Sequence, residues 1–289
     1  MSVLLAGLCT VDLVQRVEYL PEPGQKVRSR DMALAAGGPA AGAAVAVAAL
    51  GGEPLLLTVL GRHPLAELAR ADLAECGVTV LDALPQWDRP PPLSAVAVRE
   101  RDGERVVVSP GADDAADARL LAGFGPEALD AALAGRQPKA VLVDGHYPAL
   151  ARAAVALARA HDRPVVVDAG SWKPVFADVF PHADVVACSA GFTAPEGALD
   201  GVEVVITTAG PDPVRWRGPH GEGEVAVPEV DARDTLGAGD VWHGALVFRA
   251  GLSDIEERIA FANAVASERV RHAGPRSWIG PVRAMMGER

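Results

Sequence analysis

Residues 234–246, "DTLGAGDVWHGAL", set two glycines and an alanine between two aspartates and then run into a helical pattern. The backbone N–H groups of residues 236–240 would lie at that helix's N-terminus, where unpaired donors and the helix dipole attract an anion. Gly237 and Gly239 put no Cβ in the way of a close backbone approach, so the loop reads as an oxyanion hole. Asp240 is the oddity in such a place. It is either an ordinary acidic residue of a first helical turn, or a carboxylate that accepts the proton of a hydroxyl attacking a bound phosphate. In phosphoryl transfer such a carboxylate orients the nucleophile while fixed dipoles stabilise the transferring charge. The stretch lacks the Gly-Lys-Ser/Thr ending of a Walker A loop.

Elements able to position these residues are legible along the chain. Short apolar runs at 3–7, 54–61, 140–145, 164–170, 184–189 and 203–210 alternate with helical patterns at 40–50, 64–76, 147–161, 241–250 and 255–272. Such continuous runs suit parallel strands buried on both faces, which makes a doubly wound α/β sheet the expected architecture. Two stretches break the rhythm. Residues 93–111 alternate about an Asp102-Gly103 turn, the signal of a hairpin. Residues 11–34 alternate too, with Lys26, Arg28 and Arg30 on one face of a possible strand and Val27 and Ser29 on the other. Together they predict a small β lid over the strands' C-terminal edge, where open α/β sheets bind ligands. The expected division is a core of 1–10, 36–92 and 112–289 with a lid of 11–35 and 93–111; the segments 89–93 and 110–120 read as connectors.

A formal net charge of -11 argues against a nucleic-acid partner or an anionic membrane surface. Cys9, Cys76 and Cys188 are far apart and suggest neither a disulfide framework nor a thiolate zinc site, so a reducing cytoplasm fits best. The apolar N-terminus has no preceding basic residues and is interrupted by Asp12, which reads as a first strand rather than a signal peptide. No membrane-spanning helix and no protein metal cage are expected.

Residues 234–247 resemble the C-terminal signature of the PfkB, or ribokinase-like, carbohydrate kinase family. Residues 36–52, "AGGPAAGAAVAVAALGG", resemble its N-terminal Gly-Gly motif, and 261–267, "FANAVAS", its adenine-side helix. The resemblance spans nearly the whole chain. It implies an ATP- and Mg2+-dependent kinase acting on a sugar-like hydroxyl, with Asp240 as base beside the Gly237, Ala238 and Gly239 anion hole. It makes Gly37 and Gly38 the substrate-side hinge of the lid and has Asp12 grip sugar hydroxyls. Asp234 and Thr235 would stand near a monovalent-cation loop, with K+ the candidate ion, completed by backbone groups around Ala273 and Gly274. Thr208 and Gly210 in "TAGPDPVRW" fall at the nucleotide-side turn, and Asn263 on the adenine-side helix. A homodimer through the lid edges is also implied.

The chain departs from the family pattern in places. Pro213 stands where a second glycine is usual and has no N–H to give. Gly42 replaces an asparagine common in the helix after the glycine pair. Residues 189–192 read "SAGF" in place of Asn-x-x-Glu, leaving magnesium to the nucleotide and water. The pair "GGPAA" and "GDVWHGAL" is similar to the sulfofructose kinase subgroup, whose ketose substrate carries a sulfonate. Lys26 is then either a contact to an anionic tail or a guard against edge pairing, and His146 either a ligand contact or a surface histidine. Ser109 and His146 stand where that subgroup offers an amide and a guanidinium, which keeps other sugars open. His243 is read as a buried, satisfied side chain or a neighbour of the substrate. Lys173 is either solvated or close to the ATP phosphates. A nucleoside kinase of the same fold and a non-catalytic sugar or nucleotide sensor are the alternatives.

Overall fold

A computed structural model describes residues 1–252 and 254–287. In chain order its strands are β1 (Ser2–Ala6), β2 (Thr10–Val17), β3 (Asp31–Gly37), β4 (Glu53–Thr58), β5 (Thr79–Asp82), β6 (Leu93–Arg99), β7 (Arg105–Val108), β8 (Ala140–Val143), β9 (Val165–Ala169), β10 (Val185–Ser189), β11 (Val204–Ala209), β12 (Asp212–Gly218) and β13 (Gly221–Val225). The helices are α1 (Pro39–Ala49), α2 (Pro64–Cys76), α3 (Asp114–Gly123), α4 (Pro126–Leu133), α5 (Pro148–Ala160), α6 (Phe176–Val179), α7 (Ala238–Phe248), α8 (Ile255–Val270) and α9 (Ile279–Gly287).

Nine strands form one sheet in the order β13-β12-β11-β10-β9-β8-β1-β4-β5, parallel from β11 to β5 and antiparallel at the β12 and β13 edge. Successive side chains of a strand point to opposite faces, so each buried run feeds two cores. Val3 and Leu5 of β1 pack with α1, α2, α7, α8 and α9 on one face. Leu4 and Ala6 pack with α3, α4, α5 and α6 on the other. The fold is α/β with helices on both faces of a mostly parallel sheet, as the alternating runs predict.

The segment 110–120, expected as a connector, instead contains the start of α3. Asp113 caps it by accepting from the N–H of Ala115 at 2.8 Å and of Ala116 at 3.3 Å. Asp114 and Asp117 in its first turn suit the positive end of the helix, and Ala116 and Leu120, one turn apart, are buried.

A second, smaller sheet has the order β3-β2-β6-β7. Its hairpin turns at Gly103, whose φ of +69° favours glycine, and its β2–β6 pair is parallel with Asp12 opposite Ser94. On one face Val14, Val96 and Val98 pack against Leu236. On the other, Leu13 lies opposite Leu34 and Ala95, and Met32, Leu34, Val106 and Val108 are exposed. Residues 21–30 form no strand. Pro21 and Pro23 have no N–H, Gly24 turns with φ +83°, and the alternating cations gain no buried face, so Lys26, Arg28 and Arg30 stand exposed in a coil between β2 and β3. Arg30 pairs there with Glu18 at 2.6 Å and Glu100 at 3.3 Å.

Among the described residues no helix is long and apolar enough to cross a membrane. Cys9, Cys76 and Cys188 are buried free thiols.

Candidate active site

Two helix N-termini define the site. Gly38 at the head of α1 has φ +91°, and a Cβ there would lie 2.7 Å from the Leu8 carbonyl oxygen. Gly237 at the head of α7 has φ +70°. Among the described residues none accepts a hydrogen bond from the N–H of Gly237, Gly239 or Asp240, so these donors are free for an anion. Asp240 is half-buried where α7 meets α1. A Cβ on Gly42 would sit 2.7 Å from the Asp240 Cβ, and one on Gly244 would sit 2.5 Å from the Ala43 carbonyl oxygen. Gly42, the position of the missing asparagine, is thus what lets Asp240 press against α1.

Around Asp240 the chain gathers further carboxylates. Asp12 on β2 accepts from the Thr10 hydroxyl at 2.6 Å, and a Cβ on Gly37 would collide with its carboxylate. Burial raises the Asp12 pKa above the usual carboxylate value, against the lowering by its hydrogen bonds. Asp144, following β8, accepts from the N–H groups of Leu8 at 2.8 Å, His146 at 2.9 Å and Ala40 at 3.2 Å, and so ties β1, β8 and the head of α1 together. Asp168 on β9 is buried, which raises its pKa; His243 Nδ1 at 3.5 Å works the other way. Burial, then the charges of Asp168 and Asp12, push the Asp240 pKa up to about 8, with Arg105 the opposing charge. His243 Nδ1 lies 2.8 Å from the Gly239 carbonyl, which assigns the proton to that nitrogen. Half-buried His146 has its pKa lowered, chiefly by burial. Lys173 lies over the Phe176 ring at 5.2 Å, and its Cδ would be 3.2 Å from a Cβ on Gly145.

The loop before α7 is fastened to its neighbours. Asp234 is fully buried and accepts from the N–H of Leu236 at 3.0 Å and of Gly274 at 2.9 Å. The Thr235 hydroxyl donates to the Gly103 carbonyl at 2.9 Å and accepts from Arg105 Nη1 at 2.7 Å, so the second sheet's hairpin rests on the loop. Arg276 holds the β3 end of that sheet. Its Nη2 donates at 2.6 Å to both the Ala36 carbonyl and Asp72, whose carboxylate accepts the Ala36 N–H at 2.8 Å.

One cavity is lined by Asp12, Gly37, Gly42, Gly237, Asp240 and Arg269, which brings the expected sugar, hinge and base residues together. Other expected residues lie outside it. Thr208 and Gly210 stand at the β11–β12 turn, with Thr208 donating to the Cys188 carbonyl at 3.4 Å and Gly210 at φ +61°. Asn263 is buried and engaged within the protein. Its Oδ1 accepts from Trp242 Nε1 at 2.8 Å and its Nδ2 donates to the Ala226 carbonyl at 3.0 Å, so its amide is not turned to a ligand. Lys26 lies in the exposed coil, not on a strand face. Phe192, at the glutamate position of Asn-x-x-Glu, joins Trp172, Phe176 and Phe180 in an aromatic cluster. Among the described residues no group of His, Cys, Asp or Glu has the arrangement of a metal cage. Reading the motifs missed Asp144, Arg16, Arg105 and Arg269 and left Asp168 as the end of a strand. Only the two aspartates carried a signal, a carboxylate closing a buried parallel strand.

A parallel sheet with a small second sheet over an anion-binding helix end is the architecture of the ribokinase fold. The pfkB family carbohydrate kinase model matches residues 2–191 and 194–279, and the chain belongs to that family. It is similar to the ribokinase of Bacillus subtilis (strain 168), 26% identical over 278 residues that cover 92% of each chain. Among solved structures it is similar to a putative ribokinase from Agrobacterium tumefaciens, with TM-score 0.79, 25% identity, and 99% of this chain and 97% of that one covered. A fructokinase with bound ATP from Xylella fastidiosa shares the fold at TM-score 0.72 and 21% identity, with 99% and 98% covered.

Proposed function

We propose that this chain transfers the γ-phosphoryl group of ATP to a sugar hydroxyl, with Asp240 as the base. The observation that carries the reading is the position of Asp240, a carboxylate with raised pKa on the helix end whose N–H groups are unpaired. The hydroxyl oxygen forms the new bond to phosphorus, the bond to the ADP oxygen breaks, and the hydroxyl proton passes to Asp240. Gly237 and Gly239 supply N–H groups to the transferring oxygens, and Arg105 brings a fixed positive charge from the second sheet. Asp12 and the backbone at Gly37 and Gly38 hold the sugar, while Thr208 and Gly210 border the nucleotide. Magnesium neutralises phosphate charge and enters with ATP, which suits a chain whose residues 189–192 offer it no carboxylate.

The second sheet acts as the lid over this cavity, and its exposed Met32, Leu34, Val106 and Val108 face a second copy of the chain in a homodimer. A cytoplasmic location is proposed from the free thiols. For the substrate, the Lys173 cation just beyond the end of β9 favours a ketose with an anionic substituent, of which sulfofructose is one, while burial keeps His146 beside it toward its neutral form. A panel of ketoses, aldoses, sugar phosphates, sulfofructose and nucleosides, assayed with magnesium ATP for ADP and phosphorylated product, tests both levels. A phosphorylated nucleoside with no phosphorylated sugar would replace the reading with a nucleoside kinase. Sugar-induced thermal stabilisation without any product would replace it with a sensor.

A further inference from the structure

Asp234 opens the loop that carries the anion hole, and the family resemblance makes it the carboxylate of a K+ site. A potassium ion needs several oxygens turned toward one point and no competing cation beside them. In this chain those oxygens are engaged. Asp234 Oδ1 accepts the Leu236 N–H and has Arg269 Nη2 at 3.6 Å; Oδ2 accepts the Gly274 N–H and has Arg16 Nη1 at 3.5 Å. The Thr235 hydroxyl is taken by Gly103 and Arg105, and the Ala273 carbonyl accepts the Ser277 hydroxyl at 2.6 Å. At Gly274 the group turned inward is an N–H, not an oxygen. The expected donor set therefore does not fit a potassium ion. Two guanidinium groups already flank its carboxylate, and a further cation would be repelled by both.

We infer that Arg269, assisted by Arg16, is the resident cation of this loop, and that the chain works without a monovalent metal ion. The Arg269 side chain is 2% exposed, and its Nη1 donates to the His272 carbonyl at 2.8 Å, so the guanidinium is fixed on both sides. Arginine keeps its proton in proteins and offers a planar set of donors, which makes it a permanent charge of defined orientation. Arg269 lines the same cavity as Gly237 and Asp240, so its charge belongs to the same site. Arg16 comes from β2, and its Nη2 donates to the Arg233 carbonyl at 3.4 Å, so the second sheet delivers part of this charge to the loop. Arg269 is thus a positioning residue that holds Asp234 and the loop in their working arrangement.

The catalytic half of this inference rests on the kinase reading; the ion-binding half does not. Phosphorylation is measured in K+, Na+ and tetramethylammonium chloride at equal ionic strength, with melting temperature read in the same salts. The wild type should show equal rates and equal melting temperatures in the three salts. Activation by K+ over tetramethylammonium of about fivefold or more, the lower range of ordinary ligand coupling, would overturn the inference. Arg269→Met should lose up to about 10²-fold in kcat in tetramethylammonium, the scale of a small misplacement of catalytic groups, and should regain part of it in K+. Full activity of Arg269→Met in tetramethylammonium would also overturn the inference. If Arg269→Met does not fold, Arg269→Lys carries the test, since it keeps the charge: it should remain indifferent to K+, and K+ activation in it counts against the proposal. If the wild type phosphorylates nothing in the panel, the kinase reading fails by itself. The melting comparison then still decides, because a K+-specific rise in the wild type overturns the inference.

Discussion

Asp234 and Asp240 bound one short loop, yet they stand in opposite electrostatic surroundings. Asp234 is buried among the guanidinium groups of Arg16 and Arg269 and two backbone N–H groups. Asp240 faces Asp168, Asp12 and Asp144, and Arg105 is the charge opposing them. The residue type is the same, and the neighbours assign the role. A carboxylate neutralised by paired arginines fixes backbone; one crowded by its own kind has a use for a proton. Between them lie the free N–H groups of the α7 end, so a phosphoryl group bound there would have fixed positive charge on one side and a proton acceptor on the other.

Removing the acceptor breaks the contrast most directly. Asp240→Asn should lower kcat by about 10²- to 10⁴-fold, the range of a lost general base, while calorimetry shows nucleotide binding retained. Displacing the acceptor is the next largest change. Gly42→Asn adds atoms where a Cβ already lies 2.7 Å from the Asp240 Cβ, and a misplacement of this kind costs up to about 10²-fold in kcat; wild-type turnover in that variant would show that the contact yields. Asp168→Asn sharpens the comparison by removing the largest charge that raises the Asp240 pKa, after burial itself. The acid limb of its kcat/KM profile should move to lower pH, and an unmoved limb would separate that limb from Asp240.

The smallest effect is on stability. With a folded pKa of about 8 against the ordinary 3.8, Asp240 keeps its proton in the native state over a range where the unfolded chain has lost it. The native state binds more protons there, so this group's contribution to stability falls as pH rises through that window. Asp240→Asn should therefore melt above the wild type, by a margin that widens from pH 4 to 8 and then levels. Because Asp240 is only half-buried, the margin is modest.

The strands were legible because a parallel strand covered on both faces must be apolar throughout, as in "AVLVDG" and "PVVVDAG". The start of α3 was not, since an acidic, alanine-rich stretch looks like a loop until Ala116 and Leu120 have a helix to bury against. The alternation around Lys26 misled for the converse reason: a period of two makes a strand only where one face finds a partner. At the candidate site, the glycine-led helix end and the place of Asp240 in its first turn followed from glycine spacing and a helix start. Arg16 and Arg269 carry no local signal, because only the folded chain brings an edge of β2 and the end of α8 to one carboxylate. Asn263 shows the limit of motif reading, as its amide is taken by Trp242 and Ala226.

The junction of α1 and α7 is built from backbone and the smallest side chains, with Gly42 against Asp240 and Gly244 against Ala43 and Ala46. Such a seam contains nothing that can be trimmed or repacked, so the place of Asp240 is set by the packing of the two helices themselves. The contacts of that seam run between α1 and α7, whereas Asp12 and Arg16 lie on β2 and Arg105 on β7. A change in the second sheet can therefore move the groups around Asp240 while Asp240 itself stays where the two helices hold it.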